Sequence, residues 1–198
     1  QVEVTSDEIQ TYYDENSASL DSYDFRYLFI SGSAPSTTDA DGNTVAATDE
    51  EKQQAMEDAK EKADAFLAAL QASSDPEATF IELAPDYASE SSKQNYIDNP
   101  DTSLTSAMVG STLANYTYGS WLMDDARAAG DSGVVEASAG YYVVLLLDRY
   151  LDETPTANIR HILIKPELTQ EDDPATTDVD ESAVPTQEAI DAAKVEAE

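Results

Sequence analysis

Apolar residues recur along this chain in two rhythms. From Val4 to Asn16 the spacing is helical: Ile9, Tyr12 and Tyr13 stand at i, i+3 and i+4, behind Thr5 and Glu8, the two halves of a capping box. That spacing predicts a short amphipathic helix whose apolar face packs on whatever follows. Residues 23–30, Tyr-Asp-Phe-Arg-Tyr-Leu-Phe-Ile, are a compact apolar run and predict the first strand. Residues 31–47 are rich in Ser, Thr, Asp, Gly and Pro, which is loop chemistry. A second capping box, at Thr48 and Glu51, opens the strongest helical pattern, reaching about Gln71. Its Met56, Ala59, Ala63, Phe66, Leu67 and Leu70 share one stripe, as in a scaffold helix that faces a core.

Ala78 to Tyr87 predicts a shorter helix with Phe80, Ile81 and Leu83 inward. Residues 88–117, polar and interrupted by Pro100 and Gly110, give no periodic signal. Ser120 to Ala129 predicts a helix carrying Trp121, Leu122 and Met123, and Gly130 to Gly133 reads as a turn. Residues 134–136 and 141–147 then predict two strands about Gly140, the second β-rich enough to be central. A strand, then helices, then a strand pair indicates an α+β domain with an antiparallel sheet.

Asp152 to Thr156 is the expected boundary, and beyond it the pattern restarts. Ile159-Arg160-His161-Ile162-Leu163-Ile164-Lys165 repeats the form of Phe25-Arg26-Tyr27-Leu28-Phe29-Ile30-Ser31, at a period of about 134 residues. That period suits two successive small domains. A strand at 159–164, an acidic loop at 165–185 and a helix from about Pro185, with Ala189, Ile190, Ala193 and Val195, are expected. Since nothing follows to complete a sheet, the strand at 159–164 is a sticky edge, expected to pair with another copy or to pack on the first domain.

Composition changes the picture in one respect. The chain has 41 acidic against 10 basic side chains, a formal charge of -31. Such a surface repels phosphate backbones and anionic lipid heads, which disfavours nucleic acid and direct membrane-surface binding. Solubility in a salty or extracytoplasmic medium is the plainer meaning. There is no Cys, hence no disulfide framework, thiolate nucleophile or cysteine-ligated metal. No apolar run reaches the roughly 18 residues of a membrane span, and the start at Gln1 suggests a piece of a longer protein. Asp39-Ala40-Asp41-Gly42-Asn43 is the nearest approach to a calcium loop and lacks its spacing, and one His makes no histidine-rich metal site. No nucleophile-elbow, Walker-type or dinucleotide glycine motif appears, so neither cofactor nor metal is expected.

Arg160-His161-Ile162-Leu163-Ile164-Lys165 followed by a helical pattern resembles the start of a parvulin-type peptidyl-prolyl isomerase domain. The first repeat, with its opening strand, long Ala/Lys/Glu helix, Phe80-Ile81-Glu82-Leu83-Ala84 and closing Gly140-Tyr141-Tyr142-Val143-Val144, looks like a whole, diverged domain of that family. The Thr5 to Asn16 segment is similar to the linker helix that precedes such domains in exported bacterial foldases. The resemblance implies a linker helix at 1–20, a complete degenerate parvulin-like domain at 21–152 and, at 153–198, a linker with the truncated start of a second domain. Its fold class would be α+β, a four-stranded antiparallel sheet surrounded by about four helices.

Such enzymes rotate the Xaa-Pro bond, whose barrier is about 18–20 kcal/mol. They need an apolar pocket for the proline ring and a hydrogen-bond network, which in the family holds two facing histidines. Here those positions carry Tyr27 and Tyr142, the family's Gly-Gly-Asp-Leu-Gly stretch is missing, and its Cys or Asp position falls near Ser89 or Glu90. Phenols keep hydrogen-bonding rings but change donor and acceptor geometry. Trp121, Tyr118 and Met123 could line an apolar substrate groove, though core packing is the commoner role of such residues. The resemblance therefore implies weak or absent isomerase activity in the first domain, and catalysis in the parent protein through His161 once a second domain is complete. Unfolded or proline-containing exported polypeptides would be the clients, in an extracytoplasmic and membrane-anchored protein. The competing expectation is a non-catalytic, chaperone-like peptide-binding or spacer module.

Overall fold

The structure, a computed structural model, describes residues 3–154, 164 and 187–197. The chain divides into two compact units, Gln1–Glu153 and Thr154–Glu198.

In the first unit, α1 (Ser6–Leu20) starts where the capping box placed it, with Thr5 N–H on Glu8 Oε2 at 2.8 Å and Glu8 N–H returning to Thr5 Oγ1 at 3.3 Å. Its predicted packing face is used only at Tyr13, which is half-buried: no residue of α1 is fully buried, and Ile9 and Tyr12 are 60% and 61% exposed. The helix is held by Tyr13 and by its C-terminal half. Tyr13 donates to Asp21 Oδ1 (2.7 Å), Tyr23 donates to the Ala18 carbonyl (2.9 Å), and Gly110 lies so close to Ala18 that a Cβ there would collide with its carbonyl. Three apolar residues in two turns are too few to seat the rest of it.

Next come β1 (Ser22–Ser31), a small hairpin of β2 (Thr37–Thr38) and β3 (Thr44–Val45) inside the expected loop, and α2 (Asp49–Ala72), capped by Thr48 and Glu51. Helix α3 (Pro76–Tyr87) begins before the apolar spacing suggests, because Asp75 Oδ1 caps the Ala78 N–H at 3.0 Å and Pro76 fills the first turn, where its missing N–H costs nothing.

Residues 88–117, unreadable by periodicity, hold α4 (Glu90–Asp98), a 3-10 turn (Pro100–Ser103), β4 (Leu104–Val109) and the single turn α5 (Gly110–Leu113). No residue of α4 is fully buried and its core contact is the half-buried Tyr96, so it needs no apolar stripe. Strand β4 hides its alternation in a bulge: its pairing with β1 steps from Tyr23↔Met108 to Phe25↔Thr105, with Ala107 at φ 53 and its N–H on Asp24 Oδ1 at 2.6 Å. The helix predicted for 120–129 is corrected to one turn, α6 (Gly119–Leu122). Asp124 stops it by taking the Ala126 N–H on its side chain and the Arg127 N–H on its carbonyl, each at 2.9 Å.

Strands β5 (Ser132–Ala137) and β6 (Gly140–Tyr150) complete an α+β architecture: a four-stranded antiparallel sheet in the order β4-β1-β6-β5, surrounded by helices and led in by one. On one face Leu28, Ile30, Val143 and Leu145 pack under Ala59, Ala63, Phe66 and Leu70 of α2 and Phe80 of α3. On the other, Tyr23, Phe25, Val144 and Leu146 meet Leu113, Tyr118 and Leu122. Two arginines fasten the frame. Arg26, 3% exposed, donates to Glu77, the Pro100 carbonyl, Ser103 and Asp101, joining β1 to α3 and the 3-10 turn. Arg149 reaches Asp21 and Asp125, each at 2.8 Å, and Ser17 at 3.2 Å, tying the end of α1 to β6.

The second unit contains α7 (Gln187–Ala197), in line with the helix expected from about residue 185. The acidic loop, His161 and, apart from Ile164, the strand expected at 159–164 lie outside the described residues.

Candidate functional site

Period-two alternation puts Tyr27 and Phe29 of β1 on the face away from α2, and the same rule puts Tyr142 of β6 there. Pairing of Tyr27 with Val144 and of Phe29 with Tyr142 makes Tyr27 and Tyr142 diagonal neighbours, ring centroids 6.3 Å apart. The segment leading into α6 lays Tyr118 across both, stacked on Tyr27 at 5.3 Å and edge-on to Tyr142 at 5.0 Å. Tyr116 stacks on Tyr118 at 5.4 Å and Phe29 touches Tyr142 at 4.8 Å. The result is a continuous aromatic patch that grades from Tyr118, 3% exposed, to Tyr116, 45% exposed.

The contacts among these phenols are ring to ring. Burial, with the neighbouring Tyr27, Tyr116 and Tyr142, pushes the Tyr118 hydroxyl far above its ordinary value of 10.0. Tyr118 is therefore a neutral ring at any physiological pH. It can grip an apolar group or donate one hydrogen bond; it cannot act as a base.

Trp121 and Met123 border the same cluster, half-buried. Trp121 lies flat against Gly133, where a Cβ would strike its ring, with the Arg127 guanidinium 4.6 Å from the ring centroid. It wedges α6 against β5. Of the three candidate groove residues, Tyr118 is the one in ring contact with both Tyr27 and Tyr142.

Two clefts flank the patch. One, of about 750 Å³, is lined by Phe29, Tyr142, Thr117 and residues 136–139. The other, of about 440 Å³, runs beside residues 27–31 of β1 and is walled by Tyr87, Ala88, Ser89, Ser92 and Tyr96, with Lys62. Ser89, one of the two residues near the expected Cys or Asp position, thus faces the strand that bears Tyr27; it is the N-cap residue of α4 and bonds to Ser92 at 2.9 Å. Phe29, Tyr116 and Tyr96 belong to these surfaces and were not singled out by sequence. Phe29 was findable as the residue two beyond Tyr27, whereas Tyr96 lies in a helix without an apolar stripe.

Among the described residues no group of three or more His, Asp or Glu could hold a metal ion. Asp39 is occupied in closing its own turn, its carboxylate accepting from Asn43 N–H at 2.8 Å and Asp41 N–H at 3.0 Å, and these bonds lower its pKa. No helix among the described residues is long and apolar enough to cross a membrane.

No protein-family model matches the sequence, and no curated protein matches it. A solved structure to which the chain is similar comes from work on the virulence factor PEB4 and the periplasmic protein Cj1289, two structurally related SurA-like chaperones of the human pathogen Campylobacter jejuni. The TM-score is 0.34 at 15% sequence identity, and the match covers 75% of this chain and 48% of that chain, about half its length.

Proposed function

We propose that residues 21–152 are a degenerate parvulin-like domain of an extracytoplasmic foldase, which holds unfolded or proline-containing polypeptide on its aromatic face and has weak or no isomerase activity of its own. The observation that carries this reading is the meeting of Tyr27 and Tyr142 under Tyr118, at the two strand positions where the resemblance implies facing histidines. Phenol faces offer a flat apolar surface for a proline ring. They lack an imidazole's readiness to donate and accept at neutral pH, so the assistance a twisted amide needs is weakened.

Trp121 and Met123 extend the apolar surround of this groove. Catalysis in the parent protein belongs to His161, in a second domain that begins near residue 153. Self-association runs through segment 159–164, and a membrane anchor belongs to the parent protein. The charge of -31 disfavours nucleic acid as a partner, and the proposed role calls on no cofactor.

A protease-coupled isomerisation assay on an Ala-Pro peptide, run beside suppression of aggregation of a reduced, unfolded client, tests the reading. The expected result is suppression without isomerisation for this chain, suppression lost in Tyr27→Ala with Tyr142→Ala, and isomerisation gained by a chain extended through a full second domain and lost again in His161→Ala. Isomerisation by this chain equal to that of the extended one would overturn the inactive-domain reading. Suppression unaffected by the double tyrosine variant would overturn the assigned surface.

A further inference from the structure

Strand β1 is paired unequally along its two edges. Strand β6 accompanies it from Ser22 to Ser31, but β4 accompanies it from Ser22 only to Arg26. Beyond Arg26 the second edge has no ladder partner among the described residues. Which groups that edge presents follows from one bond. The Gly32 N–H donates to the Ala139 carbonyl at 2.8 Å, continuing the register in which Ile30 opposes Tyr141 and Leu28 opposes Val143. Even-numbered residues therefore turn their main-chain groups to β6, and Tyr27, Phe29 and Ser31 turn theirs to the open edge.

The cleft of about 440 Å³ lies on that edge, with the strand as one side and Ser89, Ser92 and Tyr96 on the other. Five residues of strand give a rail about 17 Å long, enough to seat an extended peptide of similar length. A strand laid there would set its side chains alternately beside Tyr27 and Phe29 and toward Tyr87 and Tyr96, so both of its faces meet rings. Charge selects the occupant. Arg26, Lys52, Lys60, Lys93, Arg127, Arg149 and Lys194 are each already ion-paired within the chain, against a formal charge of -31, and Lys62 is the one cation in the cleft lining. No carboxylate lines the cleft itself, so the surplus acts as the long-range field of the chain, which draws cationic segments toward it.

We infer that the open edge of β1 at residues 27–31 takes up one extended segment of a client polypeptide as an added strand, with main-chain bonds to Tyr27, Phe29 and Ser31 and a preference for alternating basic and apolar residues. The inference deepens the proposed function and rests on its claim that the chain binds unfolded polypeptide. It differs in the groups used: main-chain edge here, ring faces there.

The test is amide hydrogen exchange followed by NMR on the intact chain, with the acetylated, amidated peptide Lys-Val-Lys-Ile-Lys-Val-Lys and its Glu-for-Lys counterpart. The lysine peptide should slow exchange at Tyr27, Phe29 and Ser31 by about tenfold or more and leave Leu28 and Ile30, already in the β6 ladder, unchanged. The glutamate peptide should do neither. Ser31→Pro removes an edge donor without touching a β6 bond, and should weaken the lysine peptide about fivefold to tenfold. Binding that perturbs the rings of Tyr116, Tyr118 and Tyr142 while exchange at 27, 29 and 31 stays fast would overturn the edge inference and leave the proposed function standing. Edge protection in a chain that suppresses no aggregation would support the edge and overturn the proposed function. Protection that appears without peptide and grows with protein concentration would assign the edge to a second copy and overturn the client as occupant.

Discussion

The two faces of the sheet are built to different rules. Under α2 and α3 the centre is aliphatic residues and alanines against Phe66 and Phe80, all fully buried, with Phe66 edge-on to Phe80 and to the half-buried Tyr87 at 4.9 Å. The opposite face is roofed by two single-turn helices, α5 and α6, and its outer part is rings left half-buried: Tyr27, Phe29, Tyr142 and the exposed Tyr116. A long amphipathic helix closes the centre of its face and leaves half-buried residues only at the margin, while two short turns close only what lies beneath them. The difference separates a face that stabilises from one with apolar area left over for a partner.

The sharpest way to break that comparison is truncation on each side. Phe66→Ala should lower stability by about 3–5 kcal/mol in urea unfolding and leave peptide affinity per folded molecule unchanged. Tyr27→Ala, half-buried, should cost less than half as much and weaken client binding about tenfold. Equal losses would make the aromatic face a second core and remove the reason to call it a binding surface. Next in size, Arg26→Met should cost about 2–3 kcal/mol, because the Pro100 carbonyl and Ser103 Oγ lose their donor, and should loosen α4 and β4 in hydrogen exchange before the rest. Thr48→Ala removes the cap of α2 and should cost about 1 kcal/mol by the same urea measurement.

Smallest at neutral pH is Tyr118→Phe, which keeps the ring. Since the folded-state pKa of Tyr118 is raised above the 10.0 of an exposed phenol, the stability it contributes is whole below pH 10 and lost as pH rises through the folded value. The variant should therefore unfold at higher alkaline pH than the parent, and its ultraviolet phenolate titration should lack the latest-ionising group. An unchanged titration would mean that Tyr118 is not the buried ring of the patch.

Much of the frame was legible because its signals were local. Thr48 and Glu51 located α2 to within a residue, and the apolar runs at 23–30 and 141–147 located the two central strands. What stayed hidden depends on partners distant in sequence. Strand β4 exists because β1 offers it an edge and Asp24 holds its bulge, and no window of residues 104–109 contains that information. The one-turn length of α6 is fixed by Asp124 folding the chain back toward β6, against a helical spacing that continues to Ala129. At the site, the resemblance picked out Tyr27 and Tyr142 and named Tyr118 with Trp121 and Met123 for the groove; register brings the first two together and the segment before α6 lays Tyr118 across them. The open edge could not be read at all, since it is defined by where β4 stops.

The pairing of Ser22 with Tyr150 gives the first unit a mechanical property. The chain arrives at the sheet and leaves it at the same end of two adjacent antiparallel strands, with Arg149 and Asp21 as the latch beside them. Tension along the backbone would load those rungs one at a time, opening the sheet as a zipper rather than shearing it. This unit should yield at low force and re-form readily when the tension drops.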